Sequence, residues 1–225
     1  MRSHTRRASD LHTYGLIMIH HEEINGISLK INDFENSVTT PFICQELRRN
    51  VYGLEEITLG PRDTFLDLGA NVGIVSCYVY KKFKCRVIAV EPVPTIFNKL
   101  FLNLWENQCY ASCHNYAVGG PDEEKVKIQF DPHRSGNSSE FVHTGIEYEC
   151  PVLNLSELLK GPPTYLKIDV EGAEYRLIPQ ILPWLHKVKY IGIEIHNHRP
   201  EWNAYNLLQT IQSATDAKLF TTIVY

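Results

Sequence analysis

Residues 64–76 read TFLDLGANVGIVS: an apolar run, then two glycines four apart, then a second apolar run. Thr64–Leu68 is an apolar run with the length of a buried strand. Gly69 and Gly73 punctuate the turn after it, and residues 72–83 have helical character. Glycines between a strand and a helix let the backbone turn tightly and approach a ligand closely. The same alternation continues downstream. Residues 86–91 (RVIAVE) form a second strand. Residues 95–107 form an amphipathic helix with Ile96, Phe97, Leu100, Phe101, Leu104 and Trp105 on its apolar side. Residues 112–118 give a third strand, 164–169 (TYLKID) a fourth and Tyr190–His196 (YIGIEIH) a fifth. A helix over 201–213 and a strand over 219–224 close the chain. Strands and helices at this spacing imply βαβ units: an α/β fold with a mostly parallel sheet and helices on both faces.

Upstream, residues 14–33 (YGLIMIHHEEINGISLKIND) place Asn25-Gly26 between two apolar-rich runs, a strong hairpin signal. Residues 40–52 carry Phe42, Ile43, Leu47 and Val51 at helical spacing. Residues 1–58 therefore read as a hairpin-and-helix cap on an α/β domain of residues 59–225. A β-rich insertion at 119–161 breaks the alternation. Strands at 125–130 and 147–153 flank a polar loop, 131–145, which holds Gly136-Asn137-Ser138-Ser139 and reads equally as a functional or a disordered loop. The 225 residues, 44% hydrophobic and 21% charged, suit one globular domain. No apolar run reaches the ~20 residues that span a bilayer, and no apolar segment follows the basic start MRSHTRRAS as a secretory signal would. Six cysteines without a CxxC pair read as reduced, mostly buried thiols, and the cytoplasm is the expected compartment. A net charge of −4 disfavours a nucleic-acid surface.

The chemistry centres on Asp67-Leu68-Gly69-Ala70-Asn71-Val72-Gly73. Glu91 closes the next strand, 24 residues after Asp67, where a carboxylate can accept bonds from both ribose hydroxyls of a nucleoside cofactor. A dinucleotide site requires GxGxxG, and here Asn71 stands between Gly69 and Gly73. An acid before the loop instead suits a cationic group, such as the amino group of S-adenosylmethionine. A sharp strand–helix turn with no ligand is the competing reading.

Several ordered motifs make the chain resemble the FkbM family of S-adenosylmethionine-dependent methyltransferases: FLDLGANVGIVS (65–76), VIAVEPVP (87–94), NYAVGG (115–120), Gly136-Asn137-Ser138-Ser139, and above all LKIDVEGAEYRLI (166–178). The resemblance implies a class I methyltransferase (Rossmann-like) fold, S-adenosyl-L-methionine as donor, and O-methylation of hydroxyls on small molecules, sugars or natural products of secondary metabolism. It implies that Asp67, Gly69, Asn71 and Gly73 hold the methionine part and that Glu91 binds ribose. Pro92 and Val93 would flank the adenine, Asn115, Tyr116 and Ala117 would meet its ring, and Asp169 would lie beside the transferred methyl. The family's sheet usually closes with an antiparallel pair, for which only KLFTTIVY (218–225) is available; an open edge there would favour a homodimer.

Asp169 is the first candidate for orienting or deprotonating the acceptor. Glu171 and Glu174 follow it, with support of a helix N-terminus the preferred role for Glu174. Glu194, His196 and His198 alternate at the end of the fifth strand, so a plain polar strand end, a histidine base or acceptor contact, and, least favoured, a metal site all fit; the family resemblance does not argue for a metal. Methyl transfer to oxygen leads. N-methylation of a peptide side chain or other nitrogen, an NAD-dependent oxidoreductase, and a silent cofactor-binding module are the alternatives.

Overall fold

The computed structural model describes residues 17–120, 122–131, 134–139, 146–159, 161–197 and 199–224. Its main sheet is built outward from β3 (Thr64–Leu68). On one side lie β4 (Arg86–Val90) and β5 (Ala111–His114). On the other lie β10 (Tyr165–Ile168), β11 (Tyr190–His196) and β12 (Lys218–Val224). The order is β12-β11-β10-β3-β4-β5, and every adjacent pair is parallel. Parallel strands need crossovers. These are α2 (Ile74–Phe83), α3 (Pro94–Glu106), α5 (Glu174–Leu185) and α6 (Ala204–Ala214), with a short α4 (Leu155–Leu158) ahead of β10.

Strand alternation decides which face each residue serves. Phe65, Val87 and Ala89 pack with α2 and α3, whereas Leu66, Leu68, Leu166 and Ile168 pack with α5 and α6. Both faces are thus covered, as buried parallel strands require. The hairpin of β1 (Ile17–Ile24) and β2 (Ile27–Phe34) turns at Asn25 and Gly26, both with positive φ, as a two-residue primed turn demands. Its Ile24, Leu29, Ile31 and Phe34 join the α2–α3 side of the core, and α1 (Thr39–Arg48) follows.

Four expectations are corrected. The third strand does not run to Val118. It ends at His114, because the Asn115 side chain donates to the carbonyls of Glu91 (2.9 Å) and Pro92 (2.8 Å) and draws the chain off the sheet. A separate β6 (Ala117–Val118) pairs instead with β9 (Ile146–Leu153), in a second sheet of order β6-β9-β7-β8 with β7 (Lys125–Asp131) and β8 (Arg134–Ser139). Part of the polar loop is therefore strand, and Gly136-Asn137-Ser138-Ser139 belongs to β8; residues 140–145 lie outside the described residues. On α3 the buried stripe is Ile96, Lys99, Leu100, Asn103 and Leu104, while Phe101 and Trp105 are 59% and 72% exposed. Asn103 sets that orientation, accepting from Asn32 N (2.7 Å) and donating to the Val72 carbonyl (2.8 Å). Finally, β12 runs parallel to β11 instead of closing an antiparallel pair, and among the described residues its other edge has no strand partner.

Candidate active site

A cavity of about 750 Å³ opens at the C-terminal ends of β3, β4, β10 and β11. Open α/β sheets bind ligands there, where the strand order reverses between β3 and its neighbours. Gly69, Asn71, Glu91, Pro92, Tyr116, Ala117, Asp169, Glu194 and His196 all line it. The parallel register explains the convergence. Asp67 pairs with Ala89 on one side and Lys167 on the other, and Lys167 pairs with Gly192. Two residues on from these, Glu91, Asp169 and Glu194 emerge on the same face.

Gly69 is fixed by close approach. It has φ +76°, and a Cβ there would lie 1.7 Å from the Asp169 carbonyl oxygen. Glu91 is buried, with Oε2 accepting from Asn71 N (3.0 Å) and Oε1 from Val93 N (2.9 Å). Each oxygen keeps a further lone pair for a ligand hydroxyl. Burial pushes its carboxyl up to about 7 against the pull of those two amides.

Four expected donor-site residues do not line the cavity. Asp67 is fully buried and faces a cation of the protein itself: Lys167 Nζ lies 3.1 Å from Oδ1, and Ser76 Oγ donates to Oδ2 at 2.6 Å. It fixes the site from behind. Gly73 caps α2 with φ +89°, where a Cβ would strike Leu100. Val93 is core, and Asn115 ties the loop after β4.

The loop's amides discriminate between cofactor classes. Gly69 N and Ala70 N donate to the Val90 carbonyl, Asn71 N to Glu91, Val72 N to Asn71 Oδ1 and Gly73 N to the Ala70 carbonyl. All five are spent within the protein, so the loop forms no anion cradle of the kind a pyrophosphate uses. The cavity's cations are also engaged by carboxylates. Lys167 reaches Asp67 and, at 3.4 Å, Asp169. His196 contacts Glu174 at 3.0 Å, Glu171 at 3.3 Å and Glu194 at 3.8 Å. Carboxylates and a buried Glu91 suit a ligand with a cationic centre and ribose hydroxyls, which is the chemistry of S-adenosylmethionine.

His196 stands among three carboxylates. Burial alone would lower its pKa, but the bond to Glu174 and the charge of Glu171 override this and raise it to about 9. Glu174 is fully buried as the first residue of α5, and it also accepts from Val170 N (3.1 Å). Burial raises Glu194 to about 7 and moves Glu171 in the same direction. Asp169, Glu171 and His196 bring one ligand atom each within 4.8 Å of one another, a different set from Glu194, His196 and His198; His198 lies outside the described residues.

Sequence reading missed Lys167 as the partner of Asp67, and it missed a whole wall. Val38, Thr39, Phe42, Ile43 and Glu46, at and within α1, line the cavity together with Tyr52. The signal was present: 38, 42 and 46 are four apart, one stripe of a helix.

Residues 67–217 match the model of the Methyltransferase FkbM domain, and the chain belongs to that family. It is 26% identical over 139 residues to the hexuronic acid methyltransferase AglP of Haloferax volcanii, covering 60% of this chain and 56% of that protein. The chain thus spans just over half the length of this curated relative. Among solved structures, Methyltransferase FkbM from Methylobacillus flagellatus KT is 15% identical with a TM-score of 0.42, over 64% of this chain and 40% of that one. Precorrin-6y C5,15-methyltransferase from Geobacter metallireducens GS-15 is also 15% identical, with a TM-score of 0.40 over 62% and 57%.

Proposed function

We propose that this chain is an S-adenosylmethionine-dependent methyltransferase acting on a hydroxyl of a small molecule or sugar. One observation carries the reading. In a member of this family, Glu91 and Asp169 enter one cavity at the strand ends, beside a glycine loop whose amides are already spent. The donor supplies a methyl group activated by a positively charged sulfur. Glu91 would bind the ribose hydroxyls, Pro92, Tyr116 and Ala117 would border the adenine, and Asp169 would face the reacting centre. The protein's work is then alignment and proton removal. The hexuronic acid relative supports a sugar among the acceptors, and the net charge of −4 supports a small molecule over a nucleic acid. We further propose that residues 1–58 act as a cap on the donor-binding domain of 59–225, since α1 supplies one wall of the cavity. Among the described residues, no helix is long and apolar enough to cross a membrane.

The test is methyl transfer from isotopically labelled S-adenosylmethionine to a panel of sugars and small alcohols, read by mass spectrometry as the gain of one methylene. Asp169→Asn is expected to cut turnover on the acceptor so found by about a hundredfold or more, the lower bound for losing acid–base help. Donor affinity should change by less than about threefold. Equal losses in both would make Asp169 a donor-binding residue only.

A further inference from the structure

Every acid of the cavity but one has a cationic neighbour within ion-pair distance or a backbone partner. Asp169 has Lys167, Glu171 and Glu194 have His196, and Glu91 has two amides. Glu46 differs. It stands on α1, outside the residues matched by the family model, and among the described residues no Lys, Arg or His lies within 4.0 Å of it. Its placement is built. Cys44 and Leu47 are buried and anchor one side of α1 in the core, which turns 38, 42 and 46 toward the cavity. Tyr52 Oη donates to Glu46 Oε2 at 3.3 Å, and Tyr52 is pinned in turn by the Tyr165 hydroxyl on its carbonyl at 2.5 Å. Along the same stripe, Val38 and Phe42 are 64% and 58% exposed, an apolar border for whatever enters.

Resting on the methyltransferase reading, we infer that Glu46 is the acceptor-recognition residue, receiving a hydrogen-bond donor or cationic group (a hydroxyl or an amine) beside the apolar edge of Phe42. The acceptor it selects carries no free carboxylate at that point. A carboxylate there would face Asp169 and, as they ionise with rising pH, Glu46 and Glu194, and like charges in one partly desolvated pocket oppose binding. Burial, and then the charge of Asp169, already pushes the Glu46 carboxyl up to about 7 in the open cavity. A donating or cationic partner relieves that strain, whereas an anionic one deepens it. This departs from a hexuronic acid, the acceptor class in the name of the related AglP.

Glucosamine, glucose and glucuronate share a ring and differ in charge. Each is titrated into the protein saturated with S-adenosylhomocysteine, with binding followed by NMR of isotope-labelled glutamate carboxyls. Glucosamine is expected to bind at least about tenfold more tightly than glucuronate, with glucose between them. Glu46→Gln should shrink that preference to about threefold or less and leave S-adenosylhomocysteine affinity unchanged. The inference is overturned by equal or tighter glucuronate binding, by no measurable binding of any of the three, or by a preference that survives Glu46→Gln. Failure of S-adenosylhomocysteine itself to bind would instead strike the methyltransferase reading, and this inference with it.

Discussion

Lys167→Ala is expected to destabilise the protein by about 3–5 kcal/mol, the range for removing one partner of a buried ion pair. Lys167 is 1% exposed and Asp67 fully buried, on adjacent strands in direct register. The ammonium spans Asp67 Oδ1 and Asp169 Oδ2 and also donates to the Gly69 carbonyl at 3.0 Å. Those two carboxylates hold its pKa above the ordinary lysine value even though burial opposes it. Without the lysine, Asp67 keeps only the Ser76 hydroxyl and becomes an uncompensated charge in the centre of the sheet. At this chain length, such a loss lowers the melting temperature by roughly 10 °C. Pairing Lys167→Met with Asp67→Asn should recover part of it, since removing both charges removes the unpaired one. A Lys167→Ala melting temperature within about 2 °C of the parent would show that the pair carries little stability.

Glu91→Ala is expected to weaken S-adenosylmethionine binding at least about tenfold, because each charge-assisted hydrogen bond is worth about 1.5–3 kcal/mol. Two effects add. The variant loses the acceptor for the ribose hydroxyls. It also frees the Asn71 and Val93 amides, whose bonds to Glu91 hold the glycine loop and the start of α3. The pH dependence has a definite sign. Glu91 is raised to about 7, so its carboxylate, the better acceptor for hydroxyls, fills as pH rises through that value. The gap between parent and variant should therefore widen from pH 6 to pH 8, read by calorimetry. Unchanged affinity in Glu91→Ala would remove the ribose role.

The fold was legible because it rests on local signals: the two-residue turn at Asn25-Gly26, the apolar runs at Thr64–Leu68 and Tyr190–His196, and the glycines between strand and helix. What escaped depends on neighbours distant in sequence. Phe101 and Trp105 sit at helical spacing with Leu104, but Asn103 bonds to the hairpin and to Val72, and that contact chose the buried side. The end of the third strand was set by Asn115 reaching back to the loop after β4. Within the site, Glu91, Asp169 and Glu194 were legible because each lies near the C-terminal end of a strand. Asp67 calls for a cationic partner, and within the protein that partner is Lys167. Only the adjacency of β3 and β10 reveals that Lys167 is the one it meets. Glu46 was hidden in a helix whose apolar residues read as core, although Phe42 faces the cavity mouth.

The cavity at the strand ends is expected to take a methyl donor with a cationic sulfur. Calorimetric titration with S-adenosylmethionine, and separately with NADH, separates the two cofactor classes. The structure predicts saturable one-to-one binding of S-adenosylmethionine and no measurable heat from NADH, whose pyrophosphate would find the loop amides spent and the cations paired. Tight NADH binding without S-adenosylmethionine binding would contradict it.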